Sequence, residues 1–281
     1  MGEIIPQVAT NLQGQVASAL EEDIGSGDIS ALLLPDKQCS AAIFCNQQAV
    51  ICGQDWVNEV YRQLDSQMQI EWRVNEGESV KPGTCCARLT GPMKALLTGE
   101  RAALNFLQLL SGTATTTRDY VRLLDGTRAQ LLDTRKTIPG LRSAQKYAVL
   151  CGGGQNHRMG LFDALLIKEN HLSAGRSMAA MIADARRRLP GIKLEIEVEN
   201  LAELESAIAA RPDVIMLDDF ELDEIEQAVQ LNAGRIKLEV SGGVDKGNLQ
   251  KLAATGVDYI SVGALTKNVL AVDFSLRVTG E

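Results

Sequence analysis

Residues Leu194–Phe220 read LEIEVENLAELESAIAARPDVIMLDDF, and the rhythm of this stretch decides the fold. Leu194, Ile196 and Val198 alternate with Glu195, Glu197 and Glu199, a strand period with one apolar and one carboxylate face. Leu201–Ala210 then follows a helical pattern, and Val214–Leu217 is a short apolar run that ends at Asp218. A strand, a helix and a second strand predict two parallel neighbours joined by a crossover.

The same unit recurs on both sides. Apolar runs at Gln130–Leu132 before Asp133, Ala164–Ile167 before Lys168, Lys237–Val240 before Ser241 and Tyr259–Val262 before Gly263 complete a set of six. Helical stretches at Leu141–Leu150, Ser177–Arg188, Leu222–Leu231 and Asn248–Thr255 lie between most of them. Functional residue types at the C-terminal ends of six strands predict an α/β barrel, incomplete at six or seven strands, with its site at that face. A doubly wound open sheet is the alternative. Helices outside a barrel would turn Glu195 and Glu197 inward, and Glu239 with Ser241 repeats the pattern. Interior carboxylates are costly unless paired with cations or a metal.

The first hundred residues have another rhythm. A helix is expected over Gln7–Glu22, short β runs at Ser40–Asn46, Ala49–Cys52, Gln69–Val74 and Cys86–Leu89, and a helix over Asp55–Leu64. This predicts an antiparallel sheet with helices. Residues 74–95, VNEGESVKPGTCCARLTGPMKA, have the rhythm of a biotinyl or lipoyl carrier hairpin, but Met93-Lys94 opens a helical pattern that runs to Leu110 instead of sitting at a hairpin tip. On that helix Arg101, Asn105 and Gln108 form a polar line.

Composition narrows the partners. The chain has 281 residues and net charge −8, with a sequence pI near 5.0, which argues against binding nucleic acid or anionic membrane. No apolar run reaches the roughly 20 residues needed to cross a bilayer. The N-terminal residues lack the basic and apolar regions of a secretory signal, so a cytoplasmic protein is expected. Cys39, Cys45, Cys52, Cys85, Cys86 and Cys151 form no metal-binding spacing and read as reduced thiols.

Against this acidic background, Leu131–His171 carries six Lys/Arg, both histidines of the chain and three acids. A cationic segment containing Gly152-Gly153-Gly154 predicts a pocket for a small, multiply charged anion. Arg135 and Arg158 suit carboxylates through bidentate pairing, and His157 could donate a hydrogen bond to one. Lys136 and Lys168 suit phosphate or pyrophosphate oxygens. Glu197 and Asp218 at adjacent strand ends suit Mg²⁺. The turns VSGGV (Val240–Val244) and ISVGALT (Ile260–Thr266) follow the last two strands, where α/β barrels commonly bind phosphate through backbone N–H groups.

These segments together resemble the quinolinate phosphoribosyltransferase (nicotinate-nucleotide pyrophosphorylase) family. The resemblance runs from EDIGSGDIS through LLTGERAALNFLQLLSG, LLDTRKTIPGLRSAQKYAVLCGGGQNHRMGLFDALLIKENH, EIEVEN, IMLDDF and EVSGGV to GVDYISVGALT. It implies a pentosyltransferase that joins quinolinate to 5-phosphoribosyl-1-pyrophosphate with decarboxylation, in NAD biosynthesis, and that requires Mg²⁺. It implies an N-terminal α/β sandwich over 1–111, to which a tail over 269–281 returns, and an incomplete α/β barrel over 112–268. It also implies a homodimer with shared sites, Arg101 reaching into the neighbouring subunit. Arg135, His157 and Arg158 would hold the quinolinate carboxylates. Lys136 and Lys168 would contact quinolinate or the pyrophosphate, and Glu197 and Asp218 would serve the ribose hydroxyls and Mg²⁺. Thr137, Ser241, Gly242, Gly243 and Gly263 would bind the phosphoribosyl group. Lys267 stands where some relatives have histidine.

Overall fold

The computed structural model describes residues 6–168 and 177–280. Glu169 and His171, which close the cationic segment, lie outside the described residues. Two compact units emerge: one of Met1–Arg118, Thr137–Gly153 and Leu265–Glu281, the other of Asp119–Lys136 and Gly154–Ala264.

The first unit is built on a four-stranded antiparallel sheet. Its strands are β1 (Gln38–Cys45), β3 (Gln69–Trp72), β5 (Thr84–Pro92) and β12 (Phe274–Gly280), in the order β12-β1-β5-β3. A two-stranded ladder joins β2 (Ala49–Val50) to β4 (Ser79–Val80). Helices α1 (Pro6–Ile24), α2 (Gln54–Leu64), α3 (Met93–Arg122) and α4 (Arg142–Gly152) belong largely to the same unit. Ile43, Trp56, Leu89, Leu96, Leu104, Leu107 and Leu110 are buried in its core. Gly53 opens α2 at φ 116°, a conformation glycine adopts freely. Glu76 accepts hydrogen bonds from the Gly53 and Gln54 amides and so satisfies orphan donors of that helix start.

Met93 begins α3, so Lys94 lies on a helix and not on a hairpin tip. The helix continues through Gly112 to Arg122, past the expected end at Leu110. Gly112 is there for close packing, because a Cβ at this position would meet the Leu270 carbonyl oxygen at 2.2 Å. Gly152 has a similar reason: a Cβ would sit 2.5 Å from the Thr117 side chain and 2.6 Å from the Ala114 carbonyl. Arg118 reaches across from α3 to the carbonyls of Gly152, at 2.8 Å, and Cys151, at 3.0 Å. Gly153 ends α4 at φ 94°. The glycines at 152 and 153 therefore seat and end a helix.

The second unit has six parallel strands: β6 (Gln130–Leu132), β7 (Ala164–Ile167), β8 (Lys193–Val198), β9 (Val214–Asp218), β10 (Lys237–Ser241) and β11 (Tyr259–Ser261). Their order is β6-β11-β10-β9-β8-β7, so the last strand of this unit, β11, pairs with its first, β6. That closure makes a barrel, interrupted between β6 and β7. At this seam Gln155 forms a parallel bridge to Leu132 on the free side of β6. Helices α5 (Met178–Arg188), α6 (Leu201–Ala210), α7 (Leu222–Asn232) and α8 (Leu249–Ala254) pack in succession, and α9 (Ala264–Lys267) follows β11. Leu194, Ile196 and Val198 are fully buried with Leu204, Ala207, Ile225 and Ala228. This is the apolar strand face expected to lie under helices. Among the described residues no helix is long and apolar enough to cross a membrane, and all six cysteines are free thiols.

Candidate active site

Asp133, directly after β6, is fully buried and organises the seam of the barrel. Its Oδ1 accepts from the His157 amide at 2.9 Å and its Oδ2 from Asn156 Nδ2 at 2.6 Å. The Gln155 amide donates to the Leu131 carbonyl at 2.8 Å. Downstream, Asp163 accepts from the amides of Met159, at 2.6 Å, and Gly160, at 3.0 Å. Arg158 is thus presented by a loop tied at both ends. Burial, followed by the charge of Arg135, pushes the Arg158 pKa down, while Glu195, Asp163 and Glu197 oppose that shift. Partial burial and a second guanidinium both disfavour the charged form, a cost that a bound anion would offset.

Lys168 follows β7, and its ammonium lies 2.5 Å from a carboxylate oxygen of Glu197 on β8. Asp218 ends β9, half-buried, and pairs in register with Ser241 on β10. Asp219 takes a left-handed φ of 55° and donates its amide to the Ser241 carbonyl. Gly242 has φ 90°, and a Cβ there would lie 2.0 Å from Asp219 Oδ1. Asn248 holds the turn through its side-chain amide to the Gly243 carbonyl at 3.0 Å. Gly263 leaves room for Lys136, since a Cβ would come 2.9 Å from Lys136 Cδ. The second unit therefore collects Arg135, Lys136, Arg158, Lys168, Glu197, Asp218, Ser241, Gly242, Gly243 and Gly263 at the ends of its strands or in the loops that follow.

His157 lies beside two buried carboxylates of the barrel. Its Nδ1 accepts from the Arg158 amide at 2.8 Å, and its Nε2 faces Glu195 at 3.0 Å and Glu239 at 3.7 Å. The ring thus hydrogen-bonds its own segment through Nδ1, while Nε2 lies at ion-pair distance from two buried carboxylates. Glu199 departs from the pattern: it lies beyond β8, exposed, and its amide donates to Glu203. Arg101, Thr137 and Lys267 belong to the first unit. Arg101 is exposed on α3, Thr137 Oγ1 accepts from Arg142 Nε at 3.1 Å, and Lys267 is exposed at the end of α9. Asp133, Asp163, Asp219 and Asn248 were not singled out from the sequence. The one visible signal was polar side chains that cap or turn the chain right after strands and glycines.

Glu197 and Asp218 fit Mg²⁺ as a donor set: two carboxylates on adjacent strands, both oxygen ligands, with Asp218 only partly buried. The tighter clusters among the described residues lie elsewhere, at Cys52/Glu76/Cys151 and His157/Glu195/Glu239. Sulfur makes the first unsuited to Mg²⁺.

A parallel barrel with converging cations, paired carboxylates and glycine turns at its strand ends defines an α/β-barrel enzyme for small polyanionic substrates. Known proteins agree. Residues 28–111 match the family model "Quinolinate phosphoribosyl transferase, N-terminal domain" and residues 113–277 its C-terminal counterpart. The chain belongs to the quinolinate phosphoribosyltransferase family. It is 41% identical over 260 residues to a probable nicotinate-nucleotide pyrophosphorylase [carboxylating] of Bacillus subtilis, covering 92% of this chain and 90% of that one. It is 36% identical to quinolinate phosphoribosyltransferase [decarboxylating] 1b of Nicotiana tabacum, covering 96% and 83%. The solved nicotinate-nucleotide pyrophosphorylase of Francisella tularensis superposes with a TM-score of 0.93 at 45% identity, covering 99% and 100%.

Proposed function

We propose that this chain transfers the phosphoribosyl group of 5-phosphoribosyl-1-pyrophosphate to quinolinate with decarboxylation, giving nicotinate mononucleotide, pyrophosphate and CO₂. The observation that carries the reading is the placement of Arg135 after β6 and of Arg158 in the loop tied by Asp133 and Asp163, two cations that suit a dicarboxylate. Arg135 and Arg158 hold the quinolinate carboxylates, and Lys136 and Lys168 face carboxylate or pyrophosphate oxygens. Ser241, Gly242, Gly243 and Gly263 receive the phosphate. The pyridine nitrogen attacks the anomeric carbon as the bond to pyrophosphate breaks, and Glu197 and Asp218 face the positive charge that develops on the ribose. The resulting pyridinium accepts the electron pair left when the neighbouring carboxylate departs as CO₂. The protein's part is to position two polyanions and offset their repulsion. Mg²⁺, held by Glu197 and Asp218, would supply charge neutralisation for the leaving pyrophosphate.

The working form in this reading is a homodimer with shared sites, Arg101 acting on the partner's substrate. Exposed Ile29, Leu32 and Leu33 in the first unit, and Leu161 and Phe162 in the second, are apolar surface that a second copy would cover. Six free thiols suit a reducing, cytoplasmic setting. The test is release of ¹⁴CO₂ from carboxyl-labelled quinolinate. Release that depends on the phosphoribosyl donor supports the assignment; none with both substrates and Mg²⁺ present overturns it.

A further inference from the structure

Inward side chains from β8 and β10, which are alternate strands, share an interior layer of the barrel. Here that layer holds ionisable groups where small barrels usually carry branched apolar ones. Glu195 is 1% exposed and Glu239 is fully buried, and the His157 ring lies against both. Neither oxygen of Glu239, nor Oε1 of Glu195, has a hydrogen-bond partner of ordinary geometry, and the approach of His157 Nε2 to Glu195 at 3.0 Å is an ion-pair contact and not a hydrogen bond of ordinary geometry. Orphaned buried carboxylates of this kind call for an explanation.

A metal is one candidate, since the three ligand atoms lie within 4.8 Å of one another. The backbone rules it out. The Arg158 amide donates to His157 Nδ1 at 2.8 Å, so that nitrogen carries no proton. A neutral imidazole that ligates through Nε2 must hold its proton on Nδ1, where the Arg158 N–H already points. The ring proton therefore sits on Nε2, the nitrogen that lies 3.0 Å from a Glu195 oxygen.

We propose that Glu195 and Glu239 are positioning residues of the quinolinate subsite: by holding the His157 ring with its proton on Nε2, they fix the main chain of Arg158 and so aim its guanidinium at the substrate. This inference rests on the quinolinate reading of the site. Asp133 holds the His157 amide and Asn156, and the ring holds the Arg158 amide. Three successive residues are thereby tied to the barrel interior, and Glu195 anchors the last tie. Burial, then the charge of Glu195, pushes the Glu239 carboxyl well up, which favours its protonated form. A protonated Glu239 donates to Glu195 and leaves Glu195 as the acceptor for the imidazole. Glutamine has the shape and the donor to replace it; leucine has neither.

The test combines kinetics on the full-length enzyme with Mg²⁺, varying each substrate separately, and ¹⁵N NMR of the histidine rings. Glu195→Gln and Glu239→Leu are expected to raise the KM for quinolinate by about tenfold or more while leaving the KM for the phosphoribosyl donor within about twofold. Glu239→Gln is expected to restore the quinolinate KM lost in Glu239→Leu. The wild-type ring of His157, assigned by its absence in His157→Gln, should show the Nε2–H tautomer. An Nδ1–H ring in the wild type, or equal losses for both substrates in the variants, overturns the proposal. If a variant fails to fold, the wild-type tautomer still decides, because an Nδ1–H ring contradicts the arrangement. Absence of donor-dependent CO₂ release by the wild type would instead remove the proposed function and leave the tautomer result standing.

Discussion

The ammonium of Lys168 lies 2.5 Å from a carboxylate oxygen of Glu197, across the neighbouring strands β7 and β8. Glu197 is almost fully buried and Lys168 is less than half exposed, so the pair is far less screened than a surface ion pair. In the proposed reading, a polyanion that reaches Lys168 would compete with Glu197 for the lysine.

Removing Lys168 strands a buried carboxylate, and removing Glu197 leaves a cation without its partner. Lys168→Met and Glu197→Gln are each expected to cut kcat/KM by about 10²- to 10³-fold. The double variant should be no worse than the weaker single, because the residues act as a unit. Multiplicative losses in steady-state assays would show that they act independently.

Gly242 tests the phosphate turn. Its φ of 90° disfavours any side chain, and a Cβ would strike Asp219. Gly242→Ala should raise the KM for the phosphoribosyl donor by about two- to tenfold, the worth of a hydrogen bond, with little change for quinolinate. A selective rise in the quinolinate KM would move the phosphate elsewhere.

The barrel was legible because its strands are short apolar runs that end in polar residues, a local pattern. Gln130–Leu132 and Ala164–Ile167 match the observed β6 and β7, and the other four strands differ by a residue at an end. Pairings set by distant residues were not legible. Nothing within Phe274–Gly280 says that it pairs with Gln38–Cys45, more than two hundred residues away. Asp133 looked like an ordinary strand-end acid, and its importance appears only once Gln155 bridges Leu132 and brings His157 beneath it. The inward carboxylates at 195, 197 and 239 were visible as alternation. That Glu197 would meet a lysine while Glu195 and Glu239 met a histidine depended on how barrel layers interleave.

Gly112 provides a stability test remote from the chemistry. In an exposed helix interior, alanine for glycine gains about 1 kcal/mol. Here the added methyl meets a backbone carbonyl at 2.2 Å, and Gly112→Ala should instead destabilise by about 1–3 kcal/mol. Urea denaturation measures the sign. A gain would mean that the chain at Leu270 yields without cost.

Glu239 predicts a pH dependence. Burial, then Glu195, raises its pKa above the ordinary 4.5, so above that pH the fold binds a proton that the unfolded chain releases. Stability from such a group is complete below the unfolded pKa and is lost as pH rises through the folded pKa, at up to about 1.4 kcal/mol per pH unit. Glu239→Gln removes this slope. Its unfolding free energy relative to wild type should therefore climb from pH 5 to pH 7, as measured by urea denaturation at each pH. Parallel curves over that range would mean that Glu239 is ionised inside the barrel, and the hydrogen bond drawn from it to Glu195 would have to be abandoned.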